Sequence, residues 1–165
     1  MSIYEAYIAV GSNMGDRLNN CQDGINELIK KTESEFIEQS NFYQTQPMYV
    51  EDQNWFINGV FSIKTKLEPH DLFQWAKKIE IQFGRDTTAK RYGPRVLDLD
   101  ILIMDKLKIN TQLLNIPHPR LHERRFVLQP FCDIAPDLIH PVLQKSIKEL
   151  LDDLDDEDQK VYCCQ

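Results

Sequence analysis

Residues 84–104 read GRDTTAKRYGPRVLDLDILIM, a basic loop followed by an acidic strand. In the second half of this stretch, aspartate alternates with leucine or isoleucine, which is the pattern of a strand with one polar face. Side chains two residues apart in a strand point the same way, so Asp98 and Asp100 are predicted to share a face, with their Cα atoms roughly 6.6 Å apart. Four apolar residues point the other way, into a core: Leu97, Leu99, Ile101 and Ile103.

The aspartate pair and the loop before it predict a site for a cation and phosphates. Two like charges on one strand face repel each other, and hard carboxylate oxygens suit Mg²⁺ together with phosphate groups. An Asp-x-Asp pair is also compatible with a plain solvated strand face. The basic loop favours a binding site. A guanidinium group can donate two parallel hydrogen bonds to phosphate oxygens, and a Gly-Pro turn holds the arginines near the strand. The basic residues are Arg85, Lys90, Arg91 and Arg95.

Length and charge narrow the class of protein. With 165 residues, 42% hydrophobic and 27% charged, the chain predicts one soluble domain spanning residues 1–165. Residues 149–165 hold seven acids and one lysine, so they account for −6 of the net charge of −7 and predict a solvated acidic tail from about residue 152. Six of the seven arginines lie between Arg85 and Arg125. This predicts a local anion site, and not the broad basic surface of a nucleic-acid-binding protein.

Cysteine usage and the N-terminal residues predict a cytoplasmic protein. The four cysteines lack metal-ligand spacing, and the adjacent Cys163 and Cys164 are expected to be exposed thiols in a reducing cytosol. The apolar run at residues 6–10 is too short for a signal sequence or a membrane span, so no membrane association is expected.

The order of predicted elements is that of a ferredoxin-like fold. Apolar runs at residues 3–10, 36–44 and 55–66 predict three strands before the acidic strand, the third with a bulge near Gly59. Apolar residues at helical spacing predict one helix capped by Asp16 and another from Pro69 to Gly84. The order strand-helix-strand-strand-helix-strand predicts an α+β sandwich of βαββαβ topology with a predominantly antiparallel sheet.

Further elements are predicted at the C-terminal end and beside the first strand. These are a hairpin arm at residues 107–110, a loop at 115–120, a helix within 123–134 and a final helix capped by Ser146. The Gly-Ser-Asn turn at residues 11–13 lacks the Gly-Lys-Ser/Thr ending of a phosphate loop, so it is interpreted as structural.

The central stretch also carries a family resemblance. Gly84-Arg85 followed by RYGPRVLDLDI at residues 91–101 resembles the signature of the 6-hydroxymethyl-7,8-dihydropterin pyrophosphokinase family. The resemblance covers nearly the whole chain and implies a ferredoxin-like fold elaborated by helices at the C-terminal end. It also implies transfer of pyrophosphate from ATP to the hydroxymethyl group of the pterin in folate synthesis, giving the pterin diphosphate and AMP.

The resemblance implies roles for residues that bind metal and ATP. Two Mg²⁺ ions would be held by Asp98 and Asp100, and Arg85 and Arg95 would join them as catalytic residues. His118 and Arg124 match the nucleotide-binding histidine and arginine of the family. A lone histidine is also compatible with a buried structural role, but the prolines on both sides fix its loop and three arginines follow, which favours the nucleotide. By its helical spacing alone, Glu80 is equally compatible with a surface or pairing residue. The implied ATP-binding residues are Glu80, Arg85, Arg91, Arg95, Ile101, His118 and Arg124.

A flat, amide-rich pterin needs two apolar faces and a polar rim. Phe56 and Phe126 match the two stacking aromatics of the family, and Asn58 matches the residue that reads the pyrimidine edge, since an amide offers both a donor and an acceptor. The implied pterin-binding residues are Thr45, Met48, Phe56, Asn58, Tyr92 and Phe126.

Two other functions remain open from the residues. A two-metal nucleotidyltransferase would use the aspartate pair but has no role for Phe56, Asn58 and Phe126 together. A non-catalytic ferredoxin-like ligand-binding module would leave Arg95 and the aspartates without purpose. The partners expected from the leading interpretation are ATP and 6-hydroxymethyl-7,8-dihydropterin, bound by a monomer without nucleic acid or membrane.

Overall fold

The structure is a computed structural model that describes residues 2–48, 52–84, 94–155 and 159–164. The elements of the main sheet and its first helices are β1 (Tyr4–Ser12), α1 (Arg17–Thr32), β2 (Glu35–Gln39), β3 (Tyr43–Thr45), β4 (Phe56–Thr65), α2 (Pro69–Gln82) and β5 (Asp98–Met104). The later elements are β6 (Ile109–Asn110), β7 (Asn115–Ile116), a 3-10 turn (Leu121–Glu123), α3 (Arg125–Ile134), α4 (Ile147–Asp152) and β8 (Val161–Cys163).

The main sheet confirms the predicted ferredoxin-like topology. Its strands run in the order β5-β1-β4-β3-β8, with β2 also paired to β4, and every one of these pairings is antiparallel. The predicted strand at residues 36–44 is two strands, β2 and β3, because Ser40 interrupts the ladder. The Ser40 amide donates to the Val60 carbonyl, and the Ser40 hydroxyl accepts from the Val60 amide.

The irregularity predicted near Gly59 lies on one edge of β4, where the pairs Gln39↔Phe61 and Tyr43↔Asn58 leave one extra residue opposite Gly59 and Val60. The pairing of β4 with β1 keeps one register from Tyr4 to Ser12. The pairing of β1 with β5 also shifts, leaving Leu102 as an extra residue. Because of this shift, the prediction that Ile103 faces the same core as Leu99 is wrong; Ile103 packs with Leu102 in a second core.

Two hydrophobic cores cover the two faces of the sheet. Helices α1 and α2 pack on one face around Phe61 and Leu99, and helices α3 and α4 pack on the other around Leu102 and Phe131. Burying a side chain of this size contributes roughly 1.5–3 kcal/mol. Helix α1 closely approaches the residue that precedes β5, because a Cβ atom at Gly24 would lie 2.7 Å from Leu97 Cδ1.

The predicted caps are confirmed. The Asp16 side chain accepts from the Asn19 amide at the start of α1, and Ser146 forms a capping box with Glu149 at α4. Gly84 follows α2 with a φ of 102°, which favours glycine.

The segment after β5 differs from its prediction. Strand β6 pairs with β7 in a separate two-stranded sheet, so Asn115 and Ile116 are not part of a loop. Thr111 stabilises the turn between them, because its Oγ1 accepts from the Leu114 amide.

The predicted solvated tail is wrong for residues 159–164. Gln159 is buried, and β8 pairs with β3 along Thr45↔Val161 to Tyr43↔Cys163. The physical reason is composition, since the acidic run ends at residue 158 and a β-branched and an aromatic residue follow. Cys163 is exposed as predicted, while Cys164 packs against the first core. The described helices include none that is long and apolar enough to cross a membrane.

Candidate active site

An open cavity of about 340 Å³ lies on the sheet face that carries α3. This volume is within the range of small-molecule sites. The cavity is where ten of the predicted site residues meet, although they come from five separate parts of the chain. They are Thr45, Met48, Phe56, Asn58, Arg95, Asp98, Asp100, His118, Arg124 and Phe126.

Strand β5 places the two aspartates side by side at the cavity. Their side chains are 32% and 41% exposed for Asp98 and Asp100, while the intervening Leu99 is buried in the first core. This is the predicted alternation. The Arg95 Nε atom lies 3.9 Å from Asp98 Oδ1, so the first carboxylate faces a guanidinium group at the rim of the strand.

Asn13 fixes the backbone of Arg95. The Arg95 backbone amide donates to Asn13 Oδ1 over 2.7 Å, and the Asn13 backbone amide donates to the Arg95 carbonyl over 2.9 Å. The Asn13 Nδ2 atom donates in turn to Gln53 Oε1 and to the Asn54 carbonyl. The Gly-Ser-Asn turn is therefore structural, as interpreted, and its structural role is to anchor an arginine of the cavity.

Lys77 is a cavity residue that the sequence analysis did not identify. Its Nζ atom lies 3.1 Å from Glu80 Oε2 and 3.7 Å from Asp100 Oδ1. Burial lowers the pKa of Lys77, but the negative charges of Asp100 and Glu80 outweigh this effect and raise the pKa overall. The cavity therefore holds a fully charged ammonium beside the second aspartate. The i,i+3 spacing of Lys77 and Glu80 on a predicted helix indicates that the two side chains are neighbours, and this spacing could have identified Lys77.

Glu80 and Ile101 do not line the cavity. The Glu80 carboxylate is 1% exposed and accepts from the Leu99 amide over 2.8 Å, so it joins α2 to β5 and holds Lys77. The Ile101 side chain is buried in the first core. An ATP contact by either residue stays a prediction. Three further predicted residues, Arg85, Arg91 and Tyr92, lie outside the described residues.

His118 is held as a neutral donor. Its backbone amide donates to the Leu102 carbonyl, and its Nδ1 atom accepts from the Arg120 amide over 3.2 Å, which leaves the proton on Nε2. Burial lowers the pKa of His118, Asp100 raises it, and Arg124 lowers it again, with a net decrease from the ordinary value. The imidazole is thus uncharged at neutral pH and offers one hydrogen-bond donor.

The other side of the cavity is built for a flat ring with a polar edge. Asn58 donates from Nδ2 to Thr45 Oγ1 over 2.6 Å, which orients its amide. Gly11 makes room for this amide, because a Cβ atom there would lie 2.5 Å from Asn58 Oδ1. Phe56 and Phe126 contribute aromatic surface to the same cavity, and the Arg124 guanidinium lies 5.5 Å from the Phe126 ring centroid.

The residues present fit Mg²⁺. The two β5 carboxylates open into the cavity, and Mg²⁺ commonly takes one or two carboxylates and completes its coordination with water and phosphate oxygens. Within the described part of the chain, no group of three or more His, Cys, Asp or Glu side chains could hold a metal by itself. The donor set therefore suits a metal that arrives with a phosphorylated ligand.

Comparisons with known proteins agree with this geometry. A family model described as 7,8-dihydro-6-hydroxymethylpterin-pyrophosphokinase matches residues 7–136. The chain is 37% identical to 2-amino-4-hydroxy-6-hydroxymethyldihydropteridine pyrophosphokinase of Aquifex aeolicus over 96% of this chain and 95% of that protein. The corresponding Bacillus subtilis protein is 42% identical, over 79% of this chain and 77% of the relative.

Other relatives are much longer than this chain. The folic acid synthesis protein fol1 of Schizosaccharomyces pombe is 38% identical over 95% of this chain, but the match covers 21% of that protein. Across this and four further relatives, the matched part is 20–27% of their length. The fold is that of a Plasmodium falciparum HPPK-DHPS crystal structure, with a TM-score of 0.72, 16% identity, and coverage of 92% of this chain and 44% of that chain.

Proposed function

Because the chain belongs to the 7,8-dihydro-6-hydroxymethylpterin-pyrophosphokinase family, we propose that it transfers pyrophosphate from ATP to 6-hydroxymethyl-7,8-dihydropterin. One observation carries the proposal. A single cavity has the Asp98–Asp100 pair with Arg95 on one side, and the Asn58 amide with two phenylalanine rings on the other. Such a cavity suits a phosphorylated ligand and a flat heterocycle at the same time.

The proposed reaction is a displacement at the β-phosphorus of ATP. The hydroxymethyl oxygen forms a bond to this phosphorus, the bond to the oxygen shared with the α-phosphorus breaks, and AMP leaves. The hydroxyl proton passes to water. Catalysis then rests on positioning and charge stabilisation, since the protein forms no covalent bond itself.

The carboxylates of Asp98 and Asp100 would hold Mg²⁺, and we propose two ions. The metal would neutralise charge on the triphosphate. Arg95, with its backbone fixed by Asn13, would contact the phosphates near the reacting hydroxyl. Arg85 and Arg91, which lie outside the described residues, are proposed as further phosphate contacts.

The nucleotide would extend from the phosphates toward His118 and Arg124. The neutral imidazole of His118 offers a donor at Nε2, and Arg124 offers a charged group at the start of α3. The pterin would lie between Phe56 and Phe126 with its pyrimidine edge toward Asn58, and Thr45, Met48 and Tyr92 would complete its surroundings. Offset stacking on aromatic rings contributes about 0.5–1.5 kcal/mol beyond area burial.

Product analysis with matched variants tests this function. The purified chain is incubated with Mg-ATP with and without the pterin, and AMP is measured. We expect pterin-dependent AMP from the wild type and from Asp137→Ala, an exposed control outside the cavity. Asp98→Ala and Asp100→Ala should lose turnover with unchanged circular dichroism. Near-normal turnover by either aspartate variant would remove the metal assignment.

We propose a monomer that acts in the cytoplasm without nucleic acid or a membrane. Support comes from the concentration of arginines in one part of the sequence and from the free cysteines among the described residues. Sedimentation of the purified chain would test the oligomeric state.

A further inference from the structure

We infer that Gln159 is a positioning residue for the pterin pocket, because its side-chain amide joins the two walls of that pocket. The inference rests on the proposed function for the identity of the ligand. Gln159 comes from the C-terminal segment of residues 159–164, which we call the C-terminal strap. Neither the sequence pattern nor the family resemblance pointed to this residue.

Both ends of the Gln159 amide are engaged. The Oε1 atom accepts from the Phe126 backbone amide over 3.3 Å, and the Nε2 atom donates to the Gln46 carbonyl over 3.2 Å. The residue is 8% exposed. Phe126 and Gln46 both line the cavity, and they are 80 positions apart in sequence. One side chain therefore bridges two separate parts of the cavity wall.

The hydrogen bond to Phe126 supplies an acceptor for a backbone amide at the start of helix α3. The first amides of a helix have no carbonyl partner within the helix. Arg124 precedes the helix and provides no side-chain cap, so acceptors have to come from elsewhere. Gln159 supplies one of them at the second residue of the helix. It thereby fixes the backbone that carries the Phe126 ring, whereas the Arg124 carbonyl is held without Gln159, because it accepts from the Val127 and Leu128 amides.

The bond to Gln46 fixes the opposite wall. The Gln46 amide donates to the Lys160 carbonyl over 2.9 Å, and Gln46 Oε1 accepts from the Lys160 amide over 3.2 Å. Gln46 follows Thr45, whose hydroxyl accepts from Asn58, and precedes Met48 by two residues. The strap thus holds the backbone of the segment that orients the pyrimidine-reading amide.

Other residues of the C-terminal strap also anchor it to the protein. Strand β8 pairs with β3, and the Cys164 amide donates to the Phe42 carbonyl over 2.8 Å. The Tyr162 ring stacks on Trp55 at a centroid distance of 6.1 Å and an interplanar angle of 4°. Because these contacts do not involve the Gln159 side chain, its substitution should loosen the bridge between the walls while the strap stays in place.

Loss of the Gln159 bridge should affect the binding of one substrate, the pterin. Gln159 bridges Phe126 and the Gln46 segment, whereas the aspartates and Lys77 are held by β5 and α2. Loss of the bridge should widen the ring pocket and weaken pterin binding, with little change at the carboxylates. If Gln159 had only a general structural role, its loss would weaken the binding of both ligands.

Isothermal calorimetry on the full chain tests the inference with Gln159→Met, which keeps the length of the side chain and removes both hydrogen bonds. We expect about tenfold weaker pterin binding, the effect of losing buried hydrogen bonds, and Mg-ATP binding within about twofold of the wild type. Gln112→Met, at an exposed position outside the cavity, is the matched control and should bind both ligands as the wild type does.

A second variant separates the two bonds and protects the test from a folding failure. Gln159→Glu keeps an acceptor for the Phe126 amide, next to a helix N-terminus that favours negative charge, but has no donor for Gln46. We expect weakened pterin binding, and a cooperative thermal unfolding transition shows that the variant is folded. Wild-type pterin affinity in both variants, or equal losses for pterin and Mg-ATP, would overturn the inference. Failure of the wild-type chain to bind the pterin would contradict the proposed function instead.

Discussion

The Nζ atom of Lys77 lies 3.7 Å from Oδ1 of Asp100, so the second aspartate of the acidic strand faces a cation supplied by helix α2. Glu80, one helical turn further on, holds the same ammonium at 3.1 Å. The ammonium reduces the like-charge repulsion between Asp98 and Asp100. It also places a positive charge beside the carboxylates that would hold the metal of a Mg-polyphosphate.

Removal of this ammonium should weaken nucleotide binding. We expect Lys77→Met to reduce Mg-ATP affinity by about tenfold, because a charge-assisted hydrogen bond contributes about 1.5–3 kcal/mol and partial exposure reduces the effect. Lys77→Arg should restore much of the affinity. The matched control is Lys78→Met, since Lys78 lies over the Trp75 ring outside the cavity. Equal affinities for the Lys77→Met variant and the control would exclude a phosphate-binding role.

Gly11→Ala should disturb the pterin pocket through Asn58. A Cβ atom at residue 11 would lie 2.5 Å from Asn58 Oδ1, so the amide would have to move away from Thr45. We expect a loss of pterin affinity of about 1–3 kcal/mol, which is the cost of an unpaired buried polar group. Adding Asn58→Ala should cause little further loss, since the two changes act on one contact. Additive losses would argue against this coupling.

Phe126→Ala should weaken pterin binding by about 1–3 kcal/mol through lost area and stacking, and Mg-ATP binding much less. Phe126 also packs against the second core, so thermal unfolding has to be measured alongside. Calorimetry with each ligand separately gives the comparison. If both affinities fall equally, Phe126 is a core residue and has no special role in the ring pocket.

His140 should make the free energy of unfolding depend on pH. Burial, and then the nearby His122, lower the pKa of His140 below its ordinary value of 6.5, and its Nδ1 atom accepts from the amides of Val142 and Leu143. Below pH 6.5 the unfolded chain therefore binds more protons than the folded one, so the free energy of unfolding decreases as pH falls.

Urea titrations across this range give the measurement. His140→Asn keeps an acceptor without a titrating group, so its free energy of unfolding should fall less than that of the wild type below pH 6.5. His70→Asn at an exposed position is the control and should follow the wild type. If the free energy of unfolding of His140→Asn depends on pH as that of the wild type does, the prediction is wrong.

Local signals in the sequence were sufficient for most of the fold. The alternation around Asp98 and Asp100, the caps at Asp16 and Ser146, and the order of strands and helices predicted the sheet and its helices. The prediction was wrong where long-range pairing overrides local pattern. The register shift at Leu102 is set by β1, and no property of residues 98–104 alone fixes its position.

The candidate site was predictable to a similar extent. A family resemblance brought together residues as distant as Asn58 and Phe126, which spacing alone could not do. Lys77 and Gln159 were missed, because each acts through a partner far away in sequence: Asp100 for the first, Phe126 and Gln46 for the second. Glutamine and lysine are common on protein surfaces, so their residue types gave no signal.

The identity of the first products is the sharpest test of pyrophosphoryl transfer by this chain. Phosphorus NMR of the wild-type chain with Mg-ATP and 6-hydroxymethyl-7,8-dihydropterin distinguishes attack at each phosphorus of ATP. We predict AMP and a pterin diphosphate, formed together and only when the pterin is present. Pterin-dependent ADP would indicate attack at the γ-phosphorus, and free pyrophosphate as an initial product would indicate attack at the α-phosphorus. Either result would contradict pyrophosphoryl transfer in the cavity that Asp98, Asp100 and Asn58 line.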